Sequence, residues 1–391
     1  MTTVEKGDKY LMNTYARFPV ALAKGSGMTV AGEDGKEYLD FGAGFAVNAL
    51  GHASAATLNA LTEQAGKLIH ASNLYYTAPQ ADLAEKLVEN SCFDKTFFCN
   101  SGAEAVEASL KLARKYGNGR AGVVAMRQSF HGRTFGALTA TGQPKYQQGF
   151  APLVPGFTHV PLNDFAALEA AVGDDTCAVI VEPVQGEGGI IPAKKAYLEQ
   201  LRALCSARDI ALIFDEVQCG VGRTGHLFAY EHFGVEPDIV ALAKGLAGGV
   251  PVGAMLAKDK FAAAFHPGDH ASTFGGNPLA AAVAYAVLGE VIALLPRVRE
   301  SGAYLARTLD GLKAKHSKIV DTRGVGLMRC IELDTPVAPY ISRCIENGLL
   351  LISSGANVIR FVPPLIVEPR HIDAMAKILD NVLTESLNTN L

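Results

Sequence analysis

The chain has 391 residues, 49% of them hydrophobic, and a formal net charge of −4. That balance argues against the basic stripe of a nucleic-acid groove, and no run of 18 or more apolar residues is seen that would mark a membrane span. The seven cysteines are scattered without a C-x-x-C, and the N-terminus has no basic start leading into an apolar stretch; free thiols in a cytoplasmic chain are therefore expected. His266 and His270 are separated by Pro and Gly in "HPGDH", so no metal site is expected.

In chain order, "KTFFCN" (95–100) reads as a buried strand and "EAVEASLKLARKYG" (104–117) as a helix closed by basic residues and Gly117. "AGVVAM" (121–126) and "CAVIVEP" (177–183) are further strands, and "AYLEQLRALCSARD" (196–209) a further helix. "IALIFDEV" (210–217) and "DIVALAK" (238–244) follow as strands. Strand and helix alternating in this way predict an α/β fold, a mostly parallel sheet flanked by helices. From about Leu279 the texture becomes an Ala-rich helix with a few short strands behind it. The expected division is a large α/β domain over 49–278 and a smaller α+β domain over 279–391, joined by residues 1–48.

Ligands of an open parallel sheet bind beyond the carboxyl ends of its strands. Those ends carry Asn100-Ser101-Gly102, Arg127 to His131, Glu182-Pro183, Asp215-Glu216 and Lys244. In "CNSGAEAVEAS" a glycine opens a helix, where free N–H groups attract phosphate; Ser101 and Glu104 equally fit a capping box that needs no ligand. Gly220, Gly222 and Gly225 satisfy G-x-G-x-x-G, the mark of an NAD-dependent oxidoreductase, although two acids precede it where a pyrophosphate would lie. Lys244 ends a buried strand, where a lysine becomes a nucleophile toward carbonyls. A Schiff-base lysine, an acid for a pyridinium nitrogen and a phosphate cradle are together what pyridoxal phosphate requires.

The stretches "YLDFGAGFAVNALGH", "NSGAEA", "SFHGRT", "VEPVQGEGG", "FDEVQCGVGRTG", "LAKGLAGGVPVGA", "STFGGNP" and "IRFVPP" resemble the class III aminotransferases, fold type I pyridoxal-phosphate enzymes, over nearly the whole chain. "LYYTAPQADLAEKL" and "GQPKYQQGF" are most similar to the branch acting on N2-acetylornithine with 2-oxoglutarate, which yields glutamate in arginine biosynthesis. Branches using ornithine, succinylornithine, 4-aminobutyrate or N-succinyldiaminopimelate are the alternatives. The resemblance implies Lys244 as the Schiff-base lysine and Asp215 as the partner of the ring nitrogen. It implies Gln218 at the ring hydroxyl, Val217 and Phe130 on the two ring faces, and Ser101, Gly102 and Ala103 at the phosphate. Thr273 would reach the phosphate of a partner subunit in a homodimer. Ser272 and Arg133 would meet the substrate, Arg133 at the α-carboxylate of the ω-amino donor. Arg360 would take the α-carboxylate of glutamate or 2-oxoglutarate, and Glu187 would pair with Arg360 when the ω-amino donor binds. His131, Glu182 and Glu216 are read as supporting residues. Val106 stands where relatives often carry Asn, and Phe45 where some carry Tyr.

Overall fold

The computed structural model describes residues 1–385. Strands β1 (Leu22–Ser26), β2 (Thr29–Gly32) and β3 (Glu37–Asp40) form an antiparallel meander. The central sheet is built from β4 (Lys95–Cys99), β5 (Gly122–Met126), β6 (Phe157–Val160) and β7 (Thr176–Val181), and then, after a two-residue-stranded hairpin, β8 (Val184–Gln185) with β9 (Ile191–Pro192), from β10 (Ala211–Asp215), β11 (Ile239–Leu242) and β12 (Gly253–Ala257). Its order is β4-β12-β11-β10-β7-β5-β6. Only β12 runs against its neighbours. Strands β5, β7, β10 and β11 are buried at every position, which is why they read as unbroken apolar runs. Strands β6 and β12 escaped the sequence reading. β6 is an edge strand that is only partly buried, so it lacks an unbroken apolar run, and β12 follows a Gly/Pro-rich turn that mimics a loop.

The helix Gly102–Tyr116 covers this sheet with Ala105, Val106, Ala108, Ser109, Leu112 and Ala113 buried at helical spacing, and it ends at Gly117. Further on, β13 (Ile319–Val325), β14 (Met328–Leu333), β16 (Ile352–Ser353) and β17 (Val358–Phe361) make a four-stranded sheet, while β15 (Leu349–Leu350) pairs parallel with β3. The first and last parts of the chain thus share one sheet.

One correction concerns apolar length. The helix Pro278–Lys315 is long and apolar enough by composition to cross a bilayer. Here it is a packing helix: it lies against the helices Ala55–Ala65, Ala78–Glu89 and Pro369–Thr384, with Ala280, Val283, Ala284, Val287 and Val291 buried. Polar contacts tie both its halves down, from Lys86 Nζ to the Tyr285 carbonyl and from the Tyr304 hydroxyl to Asp373.

Candidate active site

A cavity of about 440 Å³ opens at the carboxyl ends of the central strands, lined among others by Ser101, Gly102, Ala103, Phe130, Arg133, Asp215, Val217, Gln218 and Lys244. Lys244 lies two residues beyond β11, in a single turn of 3-10 helix, with φ +47°. A non-glycine residue in the left-handed region is held there against its own preference. Its Nζ has no hydrogen bond or ion pair among the described residues. Burial lowers its pKa; the charge of Glu187 opposes that shift and Arg360 adds to it. The result is an amine that gives up its proton more readily than a lysine in water.

Asp215 ends β10, between β7 and β11, and is 4% exposed. Its Oδ2 lies 2.7 Å from His131 Nδ1, and its Oδ1 accepts from the Val217 amide at 3.0 Å. Burial by itself would lower the pKa of His131, but the hydrogen bond and charge of Asp215, with Glu182, raise it overall. Glu182 is buried too and accepts from the amides of Phe130 at 3.0 Å and Gly186 at 3.1 Å. It braces two loops that reach the cavity, and burial pushes its pKa up.

The helix Gly102–Tyr116 begins at the cavity. Ser101 Oγ accepts from the Glu104 amide at 3.3 Å and donates to the Glu104 carboxylate at 3.0 Å, but that carboxylate accepts from the Asn100 amide at 2.9 Å instead of from the Ser101 amide. The capping box is therefore only half formed. The amides of Gly102 and Ala103 donate to no group among the described residues, at the positive end of the helix. A Cβ on Gly102 would stand 2.6 Å from Val217 Cγ1, so glycine is required where this helix meets the cavity wall.

Phe130 packs edge-on against Tyr146, ring centres 5.6 Å apart. Arg133 is exposed, has no acidic partner among the described residues, and lies with Cζ 4.2 Å from the Tyr146 ring centre. Tyr146 is a site residue that motif reading missed, although it lies inside the quoted "GQPKYQQGF". Arg360, on β17, is fully buried. Its Nη1 donates to Glu187 Oε1 at 2.6 Å and to Gln218 Oε1 at 2.9 Å, and its Nη2 to the Ser353 carbonyl at 3.1 Å. Its Cζ lies 5.3 Å from the ring centre of Phe45, which sits in a left-handed turn with φ of 45°, 60°, 64° and 65° over Ala43 to Ala46. Gln218 thus joins the cavity wall to Arg360, a link the sequence did not disclose.

Ser272 Oγ accepts from Asn100 Nδ2 at 3.2 Å, which ties its loop to the end of β4. Thr273, next to Ser272, is exposed and lies beside a narrow cleft with His70, Ser72 and Asn73, outside the lining of the cavity that holds Lys244 and Asp215. The glycines of the dinucleotide pattern serve packing instead. A Cβ on Gly222 would meet Val291 at 2.7 Å, and one on Gly225 would meet Arg299 at 2.8 Å, both on the long helix Pro278–Lys315. Glu216, buried behind them, accepts from the amides of Ala229 and Tyr230.

The family description Aminotransferase class-III matches residues 10–383. The chain belongs to the class-III aminotransferases. This aminotransferase is 53% identical over 391 residues to the acetylornithine aminotransferase of Gloeobacter violaceus, covering 98% of both chains. It is 52% identical over 384 residues to that of Methanocaldococcus jannaschii, covering 96% of both. Among solved structures it resembles an ornithine aminotransferase of Toxoplasma gondii whose description reports PLP at the active site, with TM-score 0.93, 32% identity and coverage of 97% of this chain and 92% of that one. The fold is that of these enzymes, and the dehydrogenase alternative falls with it.

Proposed function

We propose that this aminotransferase moves the ω-amino group of N2-acetylornithine to 2-oxoglutarate, giving N-acetylglutamate 5-semialdehyde and glutamate, with pyridoxal phosphate as its cofactor. The observation that carries this reading is the buried Arg360 neutralised by Glu187 at 2.6 Å beside the cavity. An enzyme of this kind must accept glutamate, whose reacting amine adjoins a carboxylate, and a donor whose reacting amine ends an alkyl chain. A free Arg360 suits the first and a paired Arg360 the second. The names of the relatives, half identical over almost the full length, support the acetyl donor.

The donor set fits the cofactor. The free amides of Gly102 and Ala103, with Ser101, would take its phosphate, Asp215 would face its ring nitrogen, Val217 and Phe130 would flank its ring, and the unpaired Lys244 would bind its aldehyde carbon. Pyridoxal phosphate, when bound, supplies a carbonyl for amine exchange and a ring that takes up the electrons left when a proton departs from the donor carbon. The Lys244 amine, once free, would remove the proton from the donor carbon and return it as an acid, so that one residue would serve as base and then as acid. Burial, which lowers its pKa, favours the neutral amine that the base role needs. Asp215, held by His131 and the Val217 amide, would set its carboxyl group against the ring nitrogen, which must stay protonated. The exposed Arg133, steadied on Tyr146, would grip the α-carboxylate of the ω-amino donor with a planar fork.

We assign the reaction to arginine biosynthesis in the cytoplasm and the active enzyme to a homodimer, in which Thr273 would reach the phosphate site of the other subunit. The exposed Leu74, Tyr75, Tyr76 and Phe274 near Thr273 support such an interface. The experiment is a panel of amino donors with 2-oxoglutarate, scored by kcat/KM. N2-acetylornithine should lead. A preference for free ornithine, succinylornithine or 4-aminobutyrate would overturn the donor assignment.

A further inference from the structure

Glu187 sits in the loop Gly186–Ile190 that closes the β8–β9 hairpin, and that loop takes a strained path. Gly189 has φ +111° and Ile190 φ +53°, a conformation that a β-branched residue adopts only when its surroundings impose it. The loop is also squeezed: a Cβ on Gly186 would meet the Gln218 amide at 2.3 Å, and one on Gly188 the Gln128 carbonyl at 2.5 Å. What holds it comes from far along the chain. Ser354 Oγ donates to the Gly186 carbonyl at 2.7 Å and accepts from the Gly189 amide at 2.8 Å. One hydroxyl, 1% exposed, therefore spans the loop on both sides of Glu187. Ser354 is itself fixed by its amide, which donates to the Val358 carbonyl at 2.9 Å. Arg323 adds a second clamp, with Nε at 2.9 Å and Nη2 at 2.6 Å from the Gly189 carbonyl. The adjacent residue holds the other half of the pair, since the Ser353 carbonyl accepts from Arg360 Nη2 at 3.1 Å.

We propose that Ser354 is a positioning residue for substrate selection: by bridging Gly186 and Gly189 it holds the Glu187 carboxylate on Arg360 and so sets how readily Arg360 is released to an incoming α-carboxylate. The proposal rests on the reading of Arg360 and Glu187 given above. Residues 353–354 are the shared reference point of both partners, which are otherwise 173 positions apart in the chain. Loss of the hydroxyl leaves the Gly186 carbonyl and the Gly189 amide without their partner and lets the loop relax away. Arg360 is then more often unpaired, which favours glutamate and disfavours the uncharged arm of the ω-amino donor.

The test compares Ser354→Ala, Glu187→Gln and the double variant as holoenzymes, in separate half-reactions with glutamate and with N2-acetylornithine. Ser354→Ala should raise the glutamate-to-donor ratio of kcat/KM by about fivefold, the factor that corresponds to ~1 kcal/mol. Glutarate, a dicarboxylate without an amine, should bind Ser354→Ala more tightly by a similar factor in calorimetry. Within the Glu187→Gln background Ser354→Ala should change the ratio no further, because the carboxylate it positions is gone. Arg323→Lys, which keeps the charge but loses the fork, should shift the ratio in the same direction and serves if Ser354→Ala folds poorly. If Glu187→Gln moves the ratio while Ser354→Ala and Arg323→Lys do not, the positioning role is refuted and the Arg360 switch stands. Equal losses in both half-reactions with a lower melting temperature would show Ser354 to be merely structural, and a ratio unmoved by every variant would overturn both readings.

Discussion

Replacing Glu187 by Gln keeps the size of the side chain and removes its charge from a pair 2.6 Å long, in which the arginine side chain is 0% and the glutamate 21% exposed. Unit charges about 4 Å apart attract by roughly 4 kcal/mol at the effective dielectric of a protein. Most of that is recovered when a substrate carboxylate takes the place of Glu187, and Gln218 and the Ser353 carbonyl stay on the guanidinium throughout. What remains is the part of the displacement that glutamate must overcome and an alkyl arm need not. A difference of about 1.4 kcal/mol is a small share of the pair energy and changes a rate ratio tenfold. Glu187→Gln should therefore raise the ratio of glutamate to N2-acetylornithine kcat/KM by about tenfold or more, chiefly by weakening the donor half-reaction. Single-turnover half-reactions followed by the visible absorption of the cofactor measure each arm separately. An unchanged ratio at intact cofactor content would refute the switch, and a parallel fall of both arms would mean that Glu187 only shapes its turn.

Lys244→Ala should abolish turnover, and borohydride reduction of the native enzyme followed by peptide mapping should place the label on Lys244; a label on another lysine refutes the assignment. Since burial lowers the pKa of Lys244 from its ordinary 10.5, cofactor uptake by the cofactor-free protein should rise with pH through a midpoint below that value, and a midpoint at or above it contradicts the argument. Asp215→Asn should reduce kcat by at least about 10²-fold, the scale of a preorganised electrostatic contribution, while near-normal kcat with cofactor bound would count against it. Arg133→Ala should weaken N2-acetylornithine far more than 2-oxoglutarate, and equal losses would make Arg133 a structural residue. Burial raises the pKa of Glu216 to about 8 from 4.5, so the folded state binds the proton more tightly than the unfolded one and stability from this group is lost as pH rises from 4.5 toward 8. Glu216→Gln should thus flatten the melting-temperature profile across that window, and a profile parallel to wild type would show that Glu216 does not titrate there.

Much of the site was legible because of where its residues stand. Asp215 and Lys244 follow unbroken apolar runs, and in a sheet covered on both faces a polar residue can appear only where the strand meets the edge. Ser101 and Gly102 announced a helix start for a similar reason. Other features leave no local trace. Tyr146 looks like any helix residue until Arg133 and Phe130 close on it. The antiparallel β12 is hidden by its Gly/Pro-rich approach, and the positive φ of Lys244 cannot be read from a lysine. Thr273 resembles an ordinary exposed threonine, and within its own chain it remains one.

The sequence by itself determined the buried parallel strands, their polar ends and the motifs that mark a class-III aminotransferase, because each depends on neighbours within a few residues and on a pattern that burial imposes. Only the tertiary structure decided that Arg360 is wholly buried, that Gln218 joins Glu187 on its guanidinium, and that Ser354 spans the loop carrying Glu187. Those facts depend on segments more than 100 positions apart meeting in one packed volume. There the charge of a side chain is governed by what surrounds it in space, which no window of sequence contains.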